Sequence, residues 1–305
     1  MMYAPIVLFV HLRPYHLTQT VEALLKNPES AKSDLIIFSD AAKNQGQEEA
    51  VQNVRKYIKN IKGFRSITVH HRSYNFGLAK SIIDGVTHVL KSYETVIVLE
   101  DDIVTSPFFL NFMNQGLDRF KSDDNVISIH GYLYPVRDNM PEAFFLKGAD
   151  CWGWATWRRG WNLFQPDGQI LVEELKRKGS IKDFNYNNTI NYFDMLKGQI
   201  NGKNDSWAIR WYASAFLANK LTLHPGRSLV QNIGNDSSGI HSNLTNVYNV
   251  NLSKSPIDLS NIKIEHSKIA ARSIEDYHRR KRSLIKKLIL YVFIRNLIPL
   301  LRRIA

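Results

Sequence analysis

Over the first 130 residues, short runs of β-branched and other apolar residues alternate with longer segments whose apolar positions return every three or four residues. The short runs predict strands at 6–10, 34–38, 66–70, 95–99 and 126–129, and the longer ones predict helices near 15–26, 47–61, 78–93 and 107–120. Strand and helix in strict alternation imply a parallel sheet covered by helices on both faces. Right-handed crossovers then place the strand C-termini along one edge, where α/β proteins bind ligands. Four polar clusters follow the strands and are expected to converge there: HLRP at 11–14, SDAAK at 39–43, HRSYNFG at 71–77 and EDD at 100–102.

From about residue 131 the alternation stops, and an aromatic-rich stretch, CWGWATWRRGW, begins at Cys151. Helical patterns return at 189–199 and 206–219, with short strand candidates at 221–224 and 228–233 and loop chemistry in GNDSSGIHSN. This half reads as a cap on the same sheet and not as an independent domain.

Composition narrows the class. With 44% hydrophobic and 22% charged residues, the 305-residue chain has the material for one large core. The single cysteine, Cys151, excludes an internal disulfide, and no Cys/His cluster suggests zinc, which fits a reducing cytosol. Net charge is +12, but nine bases and no acid follow Asp276, so the preceding residues carry only +3. The body is nearly neutral and offers no basic groove for nucleic acid. The N-terminal MMYAPIVLFVHLRP lacks the basic region and long apolar core of a signal peptide. No charge-free apolar stretch approaches the roughly 20 residues of a spanning helix.

The basic excess lies in YHRRKRSLIKKLILYVFIRNLIPLLRRIA, from Tyr277. Its Leu, Ile, Val and Phe residues fall on one helical stripe opposed by Arg and Lys, and its longest uncharged apolar run, 288–294, is seven residues. Such a helix suits the plane of an anionic membrane surface; the alternative is packing on the body or on a second subunit. Pro299 kinks it in either case.

Glu100, Asp101 and Asp102 pose the main chemical question, because three adjacent carboxylates repel one another unless cations or donors are nearby. A magnesium or manganese ion shared with a substrate diphosphate resolves the repulsion. A solvated acidic turn before the next helix also would. No GxxxxGK[ST] and no GxGxxG follows the first strand, so a P-loop or dinucleotide site is unsupported.

Taken together, FVHLRP, FSD, NFGLAKSI and VLEDD, each in its place after a strand or opening a helix, resemble the nucleotide-sugar glycosyltransferases of the GT-A fold. EDD in place of DxD, with a later acid followed by Trp, is similar to the N-acetylglucosaminyltransferase I type and its bacterial relatives in surface-polysaccharide synthesis. ADCWGWATWRRGW, DSWAIRWYAS and NIGNDSSGIH strengthen the likeness, which covers roughly residues 4–242. It implies an α/β, Rossmann-like, mostly parallel sheet with helices on both faces. The implied domain spans 1–265, with a nucleotide-binding half at 1–130 and an acceptor-side half at 131–265, followed by the basic amphipathic tail at 266–305.

By the same resemblance, Asp102 ligates a divalent metal (Mn2+ or Mg2+) bridging the diphosphate, and Glu100 and Asp101 face the ribose and neighbouring waters. Arg13 and Asp40 match positions that grip the nucleotide, against plainer roles as a surface salt bridge and a turn cap. Arg72 and Lys80 add charge beside the diphosphate, while Asn75 and Gly77 shape a tight turn. Asp205, in KNDSWAIRW, matches the base that deprotonates the acceptor, though Asp is also a favoured helix N-cap. The family has two adjacent acids there, the first helping to bind the donor sugar; this chain has Asn204 instead. Trp152, Trp154 and Trp207 are candidates for a sugar-stacking platform, although tryptophans also fill cores. His241 is a candidate lid residue reaching the metal or diphosphate.

The expectation is a metal-dependent, inverting transferase moving a sugar from a nucleoside-diphosphate donor, UDP favoured, to a saccharide or lipid-linked acceptor in surface polysaccharide or lipopolysaccharide synthesis. Its expected place is the cytoplasm, peripheral on the inner face of the cell membrane, with no nucleic-acid partner. Rivals are a nucleotidyltransferase making nucleoside-diphosphate sugars, which would show a Gly-rich loop after strand one, and a non-catalytic sugar-binding or membrane scaffold of the same fold.

Overall fold

A computed structural model describes residues 3–236 and 245–283. In chain order the strands are β1 (Ile6–Val10), β2 (Asp34–Ser39), β3 (Ser66–His71), β4 (Thr95–Glu100), β5 (Ile103–Thr105), β6 (Val126–His130), β7 (Ala143–Lys147), β8 (Trp154–Trp157), β9 (Leu221–Pro225) and β10 (Val230–Asn232). The main helices of the first half are α1 (Pro14–Leu25), α2 (Glu48–Ile58), α3 (Leu78–Ser92) and α4 (Phe109–Arg119). The second half adds α5 (Arg158–Trp161), α6 (Gly168–Arg177), α7 (Ile181–Phe184), α8 (Tyr192–Ile200) and α9 (Trp207–Leu217).

All five residues of β1 are buried, which requires a neighbour on each edge and a helical layer on each face. Parallel β2 and β4 supply the edges, and the full order is β3-β2-β1-β4-β8-β6-β9-β7. Ile6, Leu8 and Val10 pack on one face against Leu17, Val21 and Leu24 of α1 and Val54 and Ile58 of α2. Val7 and Phe9 point the other way, to Ile82 and Val86 of α3 and to Trp154, Trp161, Trp207 and Trp211. β3, at the edge, shows mixed exposure, as a strand with one free side should.

The strands and helices expected from periodicity are present, with ends displaced by a few residues. The parallel sheet is interrupted, however: β8 enters between β4 and β6 antiparallel to both, and β7 runs antiparallel to β9 at the far edge. Neither strand carries a period-two signal, because WATW and AFFL are buried on both faces. β5 and β10 form a separate antiparallel ribbon just beyond the acids.

Residues just beyond the expected boundary at 265 contact the body. His266 bridges to Phe145, and Ala270, Ala271 and Ile274, on a helix described from 268 to 283, pack against Leu133, Phe144 and Leu146. The tail beyond 283 lies outside the described residues. Among the described residues, no helix is long and apolar enough to cross a membrane.

Trp154 is fully buried, with its ring centroid 5.4 Å from that of Trp207 and 6.0 Å from that of Trp211. Trp154→Ala should therefore cost about 3–5 kcal/mol in denaturant unfolding; a loss below about 1 kcal/mol would show that this cluster is not a core. His130, the last residue of β6, and His224, the next to last of β9, are buried with their Nδ1 atoms 3.3 Å apart. Burial lowers both, each to about 3, with the neighbouring histidine adding to the effect at His224. In the unfolded chain they take protons near 6.5, so stability should fall as pH drops from about 6.5 toward 3. His224→Gln should flatten that slope relative to wild type, as read by chemical denaturation across the range.

Candidate active site

The C-terminal ends of β1, β2, β3 and β4 open on one edge because the four strands are parallel and in register. That geometry brings together Arg13, Asp40, Arg72 and the acids of EDD. Asp101 and Asp102 are buried, and the Arg13 guanidinium reaches both, donating from Nη2 to Asp101 and, at 2.9 Å, to Asp102 Oδ2. Burial alone would lower Arg13, but the attraction of Asp101 and Asp102 outweighs it and holds Arg13 above its ordinary value. Burial pushes Glu100 up to about 8, helped by Asp102 and Asp101, and pushes Asp101 up to about 6 against the opposing pull of Arg13 and the His11 amide. The acids are thus under-compensated, with one guanidinium for three carboxylates.

Two main-chain contacts set the position of the group. Thr20 Oγ1 donates to the Asp101 carbonyl at 2.8 Å, tying the end of β4 to α1. The Ile233 amide donates to the Asp102 carbonyl at 2.9 Å, bringing 232–236 over the acid. A Cβ on Gly234 would fall 2.1 Å from Asp102 Oδ2 and 2.9 Å from Arg13 Nη1, so only glycine permits that approach. Asp236 pairs with His16 Nε2 at 3.0 Å, pinning the same loop to α1.

Asp40 is a correction. Its Oδ1 accepts the amides of Ala41 and Phe76, both at 2.9 Å, and its Oδ2 accepts Gly77 N–H at 3.0 Å and Asn75 Nδ2 at 3.2 Å. Four donors fill a carboxylate's roughly four acceptor positions. Asp40 is buried and holds the β3–α3 turn, with no capacity left for a base or ribose. Gly77, at φ 74°, makes that turn possible. Arg72 is also committed: it pairs with Asp84 and lies over the Phe38 and Phe76 rings at 5.0 and 4.2 Å. Lys80 stays exposed, 4.5 Å from the Phe76 ring centroid.

In the second half, Trp154 and Trp207 are buried in the core, which removes both from the sugar platform; their neighbours are other indoles and α3. Trp152 remains partly exposed beside Tyr132 and Tyr248. Asp205 does not cap α9. Ser206 does, accepting the Ile209 amide at 3.2 Å, while Asp205 is 71% exposed and lies 3.3 Å from Arg210 Nη2. Asp205, Arg210 and Lys80 line a groove of about 410 Å3 along α3. His241 lies outside the described residues. Asp150 was missed from the sequence: partly exposed, it shares a pocket with His130, His224 and several tyrosines and stands beside Cys151, whose thiol is raised by burial and then by Asp150, Glu100 and Asp102. The acid in ADCW was the available signal, hidden by the tryptophans after it.

Asp102 Oδ1 is buried without a hydrogen-bond partner. A magnesium or manganese ion needs only one or two carboxylates when substrate phosphates and waters complete its shell, so Asp102 fits as a protein ligand approached at Oδ1. Among the described residues, no group of three or more His, Cys, Asp or Glu forms a cage for a metal.

No known family profile matches the chain, and no curated protein matches it. Among solved structures, S. aureus TarS is 18% identical over 46% of this chain and 25% of its own, with a TM-score of 0.32. TarS 1-349 is 16% identical over 57% and 49%, at 0.33. The mannosyltransferase PcManGT from Pyrobaculum calidifontis, in complex with GDP-Man and Mn2+, is 14% identical over 58% and 47%, at 0.35. The chain spans about a quarter to a half of the length of these structures. Such scores carry no functional weight, and the fold assignment stands on the chain's own strand order: an α/β, mostly parallel eight-stranded sheet flanked by helices, consistent with GT-A.

Asp40→Asn places an amide donor against main-chain N–H groups and should cost about 1–3 kcal/mol for each donor left without an acceptor, as measured by urea unfolding. An unchanged midpoint with weakened nucleotide binding would return Asp40 to the nucleotide.

Proposed function

We propose that this chain is a metal-dependent, inverting glycosyltransferase that moves a sugar from a nucleoside-diphosphate donor, UDP favoured, to a saccharide or lipid-linked acceptor. One observation carries the reading: Glu100, Asp101 and Asp102 crowd the C-terminal edge of a parallel sheet, under-neutralised by Arg13, with Asp102 Oδ1 buried and unpartnered. Structure and charge at that edge suit a cation and its phosphates.

Asp102 would hold a magnesium or manganese ion, which when bound stabilises the charge developing on the departing diphosphate. Arg13 is placed to exchange its carboxylate partners for phosphate oxygens, as a guanidinium's fork of donors allows. An acceptor hydroxyl attacking the anomeric carbon gives up its proton to a carboxylate, the role the motif NDSW proposes for Asp205. The groove along α3, which Asp205 lines, is open enough to admit a saccharide. The basic amphipathic pattern from Tyr277 supports work at the inner face of a membrane, on polysaccharide or lipopolysaccharide intermediates.

Screening nucleoside diphosphates with Mn2+ for thermal stabilisation should give a rise in melting temperature for at least one of them. Asp102→Asn should abolish the Mn2+-dependent part of that rise and lower transfer at least about a hundredfold with folding intact. No stabilisation by any nucleoside diphosphate would sink the proposal.

A further inference from the structure

The groove along α3 is charged in a way that the reaction outlined above does not use. Its α3 wall carries Lys80, Asp84, His88 and Lys91, spaced so that they fall on one face of the helix. Ile82, Val86 and Val89 of the opposite face pack into the core, which turns the charged face outward along the helix. At a rise of about 1.5 Å per residue, Lys80 and Lys91 stand about 16 Å apart along it. The start of α9, with Asp205 and Arg210, forms the other wall.

Arg210 is not an ordinary surface base. It lines the groove although only 8% exposed, and its guanidinium is fixed at three points. Nε donates to the Ser206 carbonyl at 3.2 Å, Nη1 to the Pro166 carbonyl at 3.1 Å and Nη2 to Asp205 Oδ1 at 3.3 Å. A guanidinium carries five N–H donors, so one on each Nη atom is left for a ligand. Donors held in a plane by such anchors suit an oxyanion.

Charges around the groove do not cancel. Asp84 is taken up by Arg72 and Asp205 by Arg210, whereas Lys80 and Lys91 make no ion pair among the described residues. His88 turns its ring onto His70, with centroids 5.2 Å apart. Two ion pairs and two unpaired lysines leave an excess of two positive charges, opposite in sign to the acid edge. A neutral saccharide would leave that excess uncompensated, while one with acidic groups along its length would meet it at both ends of α3.

We propose that the acceptor is an anionic saccharide, carrying carboxylate or phosphate groups, which lies in the α3 groove with one oxyanion on Arg210 beside Asp205 and its neighbours on Lys80 and Lys91. This rests on the transferase reading, with Asp205 facing the acceptor. Fluorescence anisotropy on the full chain, with Mn2+ and the nucleoside diphosphate that best stabilises it, would compare labelled hyaluronan hexasaccharide, phosphorylated maltohexaose and neutral maltohexaose. At least one anionic ligand should bind about tenfold tighter than maltohexaose, and which of them does so distinguishes carboxylate from phosphate. The double variant Lys80→Gln, Lys91→Gln, altered only at exposed positions, should reduce that preference about tenfold and change maltohexaose binding by less than about threefold. Arg210→Lys, which keeps the charge and loses the fork, should also reduce the preference, a selective loss that a merely structural role would not produce. Equal binding of all three ligands, binding of none, or a preference that survives in the double lysine variant overturns the proposal, the last by moving the anion to the basic segment after Tyr277. These outcomes leave the transferase reading standing, because stabilisation by a nucleoside diphosphate is measured separately in the same protein; its absence overturns that reading and the acceptor role of the groove with it.

Discussion

Three consecutive carboxylates at the mouth of β4 are the constraint around which the rest of this edge is arranged. Like charges so close cannot all be ionised in a partly desolvated site unless positive charge and donors are brought to them. The chain brings Arg13 from the end of β1, the His11 amide from the same strand end, and the glycine-bearing loop at 232–236 from β10. These come from segments distant in sequence and meet because β1 and β4 are adjacent parallel strands. The compensation is incomplete, which leaves the edge disposed toward a further cation.

The edge has two unlike halves. On the β1–β3 side most polar groups are already engaged: Asp40 is saturated by the β3–α3 turn and Arg72 pairs with Asp84 and lies over two aromatic rings. On the β8 side Trp152, just before the antiparallel insertion, stays partly exposed beside Tyr132 and Tyr248. The tryptophan cluster beneath, Trp154 with Trp161, Trp207 and Trp211, fixes β8 against α3 and α9.

Most strands and helices were legible because their signal is local. Continuous apolar, β-branched runs and period 3.6 are written in consecutive residues; β1, β2 and β4 carry the first plainly, and α1–α4 the second. β7 and β8 were not legible, since AFFLK and WATW are short, aromatic-rich and lie where strands and helices no longer alternate. The acids were legible as a site because their crowding is a local electrostatic problem. Trp154, Trp207 and Asp40 were misjudged because the sequence shows which groups can stack or accept, and not how many partners reach them.

By itself, then, the sequence determined the alternating α/β framework, the edge on which EDD would stand, and the basic character of the tail, all properties of residue type and short-range order. Only the tertiary structure decided that Arg13 pairs with both Asp101 and Asp102, and that Asp40 is spent on a turn. The reason is physical: hydrogen-bond saturation, burial and charge pairing depend on contacts between segments up to about 200 residues apart, set by strand order and direction.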